Sequence, residues 1–213
     1  MCTAMAGKKK GKETEPMKLF YLFYTQERWD NWIATLQEMN FEPDPESEEM
    51  PEGMQALAGF TEDINVEVLK IIRLYQNNRF SREEALDKVN EVEEIVMGAA
   101  PEGELKEIIE GIQLPLLALF MACKKYLNDE LAGEIKDLVK QGREIVDEDI
   151  ETALDIAGTI GAQVIDGKSC CGRYLRDDMD DPSIFDEWLI EIDTMGNALK
   201  SLKKFDEEPG DAS

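Results

Sequence analysis

The 213-residue chain contains no histidine. That single absence removes Ser-His-Asp and Cys-His nucleophilic catalysis, imidazole general-base chemistry and every His-ligated metal site. Any catalysis would have to run on carboxylates, cysteine, lysine or tyrosine. Cysteine is scarce as well: there are four, and none stands in the C-x-x-C spacing of redox and zinc sites. No long apolar run is present. The longest, Ile112 to Cys123, includes Gln113 and falls well short of the ~20 residues that span a bilayer. The N-terminal MCTAMAGKKKGKETEP has no apolar stretch ahead of its lysines, so a cytoplasmic protein with mostly reduced thiols is expected. Basic residues are also in deficit, 23 Lys and Arg against 47 Asp and Glu, for a net charge of −24. Such a surface repels nucleic-acid backbones and anionic membranes and suits either a high-salt cytoplasm or basic partners. For the folded domain, neither nucleic acid nor membrane is expected as a partner.

What is present is a globular composition, 43% hydrophobic and 33% charged, on a length that suits one sizeable domain. Residues 1–16 read as a disordered basic tail, 17–205 as an all-helical domain, and 206–213 as a disordered acidic tail. Thr25 reads as an N-cap with Tyr24 placed to staple onto Trp29, and Trp29, Trp32, Ile33 and Leu36 share one helical face. LFYLFY, Leu19 to Tyr24, reads as a short strand or an extended lead-in. The segment 42–52, with three prolines and five glutamates, is a loop. A long stripe from Met54 through Leu57, Ala58, Ile64, Val68, Ile71 and Ile72 to Tyr75 predicts a helix with a break near Gly59. Ser81 and Glu84 form a capping box ahead of Leu86, Val89, Val92 and Val96. Leu105 to Leu127 is apolar on nearly all sides and contains Pro115, which predicts a central, kinked helix. Further helices are predicted at 129–143 and 149–165, and a last one capped by Asp181 with Pro182 at its first position. The fold class expected is all-α, a single-domain bundle of about six or seven helices around the central one.

Motifs that suggest chemistry are each outweighed by a structural reading. Asp166 to Ser169, DGKS, resembles the end of a phosphate loop, but Ala162 stands where that loop needs its first glycine and a helix precedes it instead of a strand. Gly167 reads instead as a helix-closing residue, with Lys168 near the helix's negative end. Cys170 and Cys171 are adjacent, which leaves a regulatory thiol, a vicinal disulfide or two inert thiols beside Arg173 and Arg176. Cys123 reads as a small core hydrophobe. The run Asp177-Asp178-Met179-Asp180-Asp181 lacks the glycine and the final glutamate of a calcium loop. Glu93, Glu94, Glu107 and Glu110 cannot build a di-metal bundle without histidine and read as a solvated face. Trp29 and Trp32 read as core, with a partner surface as the alternative.

Taken together, ERWDNWI at 27–33, the SREEALDKVNEVEEIV helix, the GIQLPLLALFMACKKY helix, VIDG at 164–167 and the EWL helix resemble an archaeal family of uncharacterised proteins, domain of unknown function 2150. The resemblance spans roughly Phe23 to Leu202. It implies an archaeal cytosolic protein and carries over no activity, cofactor or catalytic residue. The longer basic N-terminal tail departs from it. No catalytic, cofactor-binding or metal residue is therefore assigned, and no cofactor. The expectation is a non-enzymatic acidic helical protein that acts through protein–protein contacts, with a homo-oligomer left open. The alternative is a small-molecule or metal/thiol binder using the Cys170-Cys171 loop.

Overall fold

The structure, a computed structural model, describes residues 23–43, 49–170, 172, 174, 175 and 182–206, the last four of these by backbone alone. Seven helices follow in chain order: α1 (Gln26–Gln37), α2 (Glu52–Gln76), α3 (Arg82–Val96), α4 (Leu105–Leu127), α5 (Ile135–Ile145), α6 (Ile150–Ile165) and α7 (Ile184–Asp206). No strand occurs among the described residues. The chain is a single all-α domain. As its continuous apolar pattern demands, α4 occupies the centre, packing on α2, α3, α6 and α7 and most extensively on α6. Among the described residues no helix is long and apolar enough to cross a membrane.

Local chemistry starts the helices where the side chains can satisfy free N–H groups. Thr25 Oγ1 accepts from the Arg28 N–H at 3.2 Å. Ser81 and Glu84 complete the capping box, with the Glu84 N–H to Ser81 Oγ at 3.2 Å and the Ser81 N–H to Glu84 Oε2 at 2.9 Å. Asp149 accepts from the Thr152 N–H at 3.0 Å. Each such cap contributes about 1 kcal/mol.

Three boundaries depart from the sequence pattern. First, α2 runs unbroken through Gly59. One glycine in a helix costs only about 1 kcal/mol, and burial of Phe60, Ile64, Val68 and Leu69 just beyond it outweighs that. Met54 and Ala58 lie on its exposed side instead of in the stripe. Second, α5 begins at Ile135 instead of 129, because Asp129 (φ 60°) and Gly133 (φ 98°) turn the chain in the left-handed region that ends helices. Third, α7 begins at Ile184. Ser183 caps it, accepting from the Asp186 N–H at 3.3 Å, and Pro182 precedes the helix. Asp181 lies outside the described residues, as do residues 19–22 of the proposed lead-in.

The α4–α6 contact is close because small residues face one another. A Cβ added at Gly161 would lie 2.4 Å from Ala122 Cβ, and one at Gly158 would lie 2.2 Å from Met121 Cγ. On α5, a Cβ at Gly142 would strike the Phe185 ring of α7 at 2.0 Å. Side chains then tie helices to neighbouring backbones. Gln113 donates to the Val96 and Gly98 carbonyls at 2.8 and 2.9 Å, closing the end of α3. Trp188 Nε1 donates at 2.8 Å to the carbonyl of Leu114, the residue before Pro115, and α4 continues through that proline.

The glycines predict opposite signs for one chemical change. Gly161→Ala should destabilise the fold by about 1–3 kcal/mol, because the facing Ala122 Cβ has no rotamer by which to move away. Gly158→Ala should cost less, since Met121 Cγ can rotate. Gly111→Ala, with nothing within 4 Å, should stabilise by up to about 1 kcal/mol through helix propensity. Urea unfolding of the three variants checks this order, and a Gly161→Ala variant as stable as the parent would contradict it.

Candidate functional site

At the C-terminus of α6 the backbone closes in a reciprocal turn. The Lys168 N–H bonds the Gln163 carbonyl at 2.9 Å and the Gly167 N–H bonds the Val164 carbonyl at 3.0 Å, with Gly167 at φ 106°. This is the glycine-terminated helix end expected at Gly167. It also explains why the DGKS segment is no phosphate loop. The N–H groups of residues 167 and 168 are turned back onto their own helix and cannot cradle an anion. The Lys168 ammonium sits at the helix's negative end and donates to Gln163 Oε1 at 2.9 Å.

Cys170 follows directly and is disulfide-bonded, with a partner outside the described residues. The expectation of reduced thiols rests on the compartment, whereas pairing depends on which sulfurs the fold brings together. Cys171, Arg173, Arg176 and the acidic run 177–181 lie outside the described residues. Cys123 is a free thiol buried in the core, and burial pushes its pKa well above the ordinary thiol range, which leaves it unreactive.

The carboxylates Glu93, Glu94, Glu107 and Glu110 are not brought together. Glu93 pairs with Lys124 across α3 and α4, while Glu94, Glu107 and Glu110 are exposed. Among the described residues no group of three or more Cys, Asp or Glu side chains could hold a metal ion.

Trp29 and Trp32 belong to the interior. Both rings pack on Phe60, with centroids 5.2 and 5.5 Å away. Trp32 also belongs to a polar cluster for which sequence reading gave Arg28 no role. Arg28 grips Asp63 through Nε (2.8 Å to Oδ2) and Nη2, and reaches Glu67 Oε1 at 3.1 Å. Trp32 Nε1 donates to the same Asp63 Oδ2 at 2.9 Å, and Lys70 adds a 2.7 Å contact to Glu67. Four residues apart on α2, Asp63 and Glu67 share a face. That i, i+4 spacing opposite an arginine was the available signal. Tyr24 lies under the Arg28 guanidinium, 5.6 Å from it, and burial raises its phenol pKa.

A second polar feature was invisible in the pattern. Glu191 of α7 is 7% exposed, and its Oε1 has no hydrogen-bond partner; neither has the buried Oδ1 of Asn65 on α2. Desolvation raises the Glu191 pKa above the ordinary carboxylate range, against a smaller opposing effect of Asn65.

A concavity of about 440 Å³ lies between the end of α1 and the start of α4. Its lining is mixed: Leu36, Met39, Phe41, Leu105 and Ile108 supply apolar side chains, Gln37 and Asn40 amides, and Glu42, Glu102 and Glu104 carboxylates. None of these three glutamates is in an ion pair among the described residues. Phe41 is held by α2, whose Gly53 N–H bonds the Asn40 carbonyl at 2.9 Å. A Cβ at Gly53 would stand 2.8 Å from the Phe41 ring.

A family model described as an uncharacterized protein conserved in archaea (DUF2150) matches residues 22–208 of the chain. No curated protein and no solved structure matches.

Two measurements test the polar clusters. Arg28→Met should lower stability by about 1–3 kcal/mol, because it takes the guanidinium from Asp63, 18% exposed, and leaves the 8%-exposed Glu67 with Lys70 alone. The value is reduced from that of a fully buried pair because the Arg28 side chain is 39% exposed. Arg28→Lys should recover only part, since an ammonium cannot make the two-pronged contact. For Glu191 the raised pKa means that the unfolded chain releases this proton first, so stability falls as pH rises from the unfolded pKa towards the folded one. Glu191→Gln removes that dependence. Its advantage over the parent in urea unfolding should grow as pH rises above the ordinary glutamate pKa of about 4, and a difference independent of pH would show that Glu191 does not titrate this way.

Proposed function

The chain belongs to this archaeal family, and on that premise we propose that it is a non-enzymatic, acidic helical protein that acts through protein contacts. Its groove at the α1–α4 junction receives a basic, amphipathic segment of a partner. The observation that carries this reading is a groove that joins five apolar side chains to three glutamates in no ion pair among the described residues. Apolar side chains beside one sign of charge select a segment with apolar anchors on one side and lysine or arginine on the other. The net charge of −24 acts in the same direction at longer range, raising the encounter rate with basic partners and excluding acidic ones. The absence of histidine leaves the groove without the usual proton-transfer group, its glutamates are exposed, and no Ser, Thr, Cys, Lys or Tyr is among its described lining residues.

A labelled peptide tests this directly: a helix of about four turns with leucines on one face and lysines on the other. Fluorescence anisotropy should show saturable binding that weakens with salt. The triple change Glu42→Gln, Glu102→Gln, Glu104→Gln should weaken it about tenfold or more. Neutralising Glu62, Glu94 and Glu148, which are exposed elsewhere, should cost far less. Equal losses in the two triple variants would reduce the effect to bulk charge and overturn the groove as the site.

A further inference from the structure

In a chain of net charge −24, most described cations are paired with carboxylates, but three that are not line a single cavity. Arg73 from the last turn of α2, Lys168 just past α6 and Lys200 of α7 border a pocket of about 90 Å³, together with Gly167 and Ser169. Among the described residues no Asp or Glu borders it. Every hydrogen bond these three heads make among the described residues is to a neutral group. Arg73 bonds Gln76 Oε1 and the Leu199 carbonyl, each at 2.8 Å, and its buried Nε has no partner. Lys168 bonds Gln163 Oε1, and Lys200 reaches Asn197 Oδ1 only at 3.5 Å.

Helix ends explain part of this charge. The C-termini of α2 and α6 each present about half a negative charge, so they offset about one of the three positive charges. A surplus of about two remains, fixed by three separate helices around a space the size of a few water molecules. From this convergence we propose that the Arg73–Lys168–Lys200 pocket binds a small oxyanion, a phosphate group above all. The side chains do the binding. The backbone N–H groups of residues 167 and 168 are committed to the helix end, so neither a phosphate loop nor Mg²⁺ is required. Gln76 and Ile165 border both this pocket and an adjoining cleft lined also by Tyr75, Asn78, Tyr126 and Asp166, so a phosphate seated at the cations leaves room for an attached organic group, whose hydroxyl or amine donors Asp166 can accept from.

This site lies at the opposite end of α4 from the groove and is independent of the partner reading. The test is thermal unfolding and titration calorimetry of the full-length protein with inorganic phosphate, and in parallel with adenosine monophosphate, at low salt without Mg²⁺. Phosphate should stabilise saturably. Lys168→Ala and Lys200→Ala, both at exposed positions, should each weaken binding about tenfold. Lys106→Ala, at an exposed position in the first turn of α4 and remote from this pocket, should leave it unchanged. Tighter binding of the monophosphate than of inorganic phosphate assigns the site to a phosphorylated metabolite held along the tyrosine cleft, and equal binding assigns it to the free anion. Absence of any saturable shift, or equal shifts in all three variants, overturns the proposal.

Discussion

The close approach of α4 and α6 is the constraint on which the remaining packing depends. Gly161 against Ala122 and Gly158 against Met121 leave no space for a methyl group between the two helices. This proximity lets α5 and α7 each reach α6 while α7 also touches α4. Gly142 against Phe185 repeats the device between α5 and α7. With α6 and α7 on one side, the opposite side of α4 is free to take α3 and part of α2. The apolar circumference that the sequence shows from Ile112 to Cys123 is therefore used on several sides at once. Polar ties fix the register of that packing. Gln113 closes α3, and Trp188 holds the carbonyl beside Pro115, so two side chains that would be costly to bury unpaired become positional anchors.

Charge shapes the molecule in a second way. A net charge of −24 disfavours compaction by self-repulsion, so where the few cations sit matters. Arg28 joins α1 to α2, Lys124 joins α4 to α3, and Lys125 reaches both Glu130 and Asp155. Arg143 joins α5 to Asp186 at the start of α7. Each connects elements that the apolar seam alone would leave free to slide. Arg28 is the clearest case, since α1 has only modest contact with α2 and α3.

The parts of this structure legible in the sequence were those governed by local chemistry. The Ser81–Glu84 capping box, the extent of α4, the Thr25 cap and the closing role of Gly167 depend on residues a few positions apart. What the sequence misplaced depended on tertiary context. Gly59 looked like a break because its cost is local, whereas the burial that overrides it comes from Trp29 and Trp32 packing on Phe60. The start of α5 looked earlier because the left-handed conformation of Asp129 has no strong signature in a residue that also caps helices. Arg28, Glu191 and the groove were invisible for the same reason. Each is defined by a partner from another helix, such as Asp63 for Arg28, 35 positions away.

The two proposed sites follow one electrostatic rule and separate cleanly under it. Helix starts favour acids and helix ends favour bases. Accordingly, Glu102 and Glu104 precede α4 while Arg73 and Lys168 close α2 and α6. Capping explains one charge at each end but not three, and the excess at both ends is what can attract a ligand. The groove borders Leu105 and Ile108, whereas the cation pocket shares Gln76 with a cleft that reaches Tyr126. At 1.5 Å per residue, these ends of α4 are about 30 Å apart. Screening at physiological salt acts over about 8 Å, so neutralising the groove's glutamates should leave the cation pocket's field intact. Any mechanical coupling between the two sites has α2 as its direct route, since the first turn of α2 holds Asn40 and Phe41 at the groove and its last turn places Arg73 at the pocket.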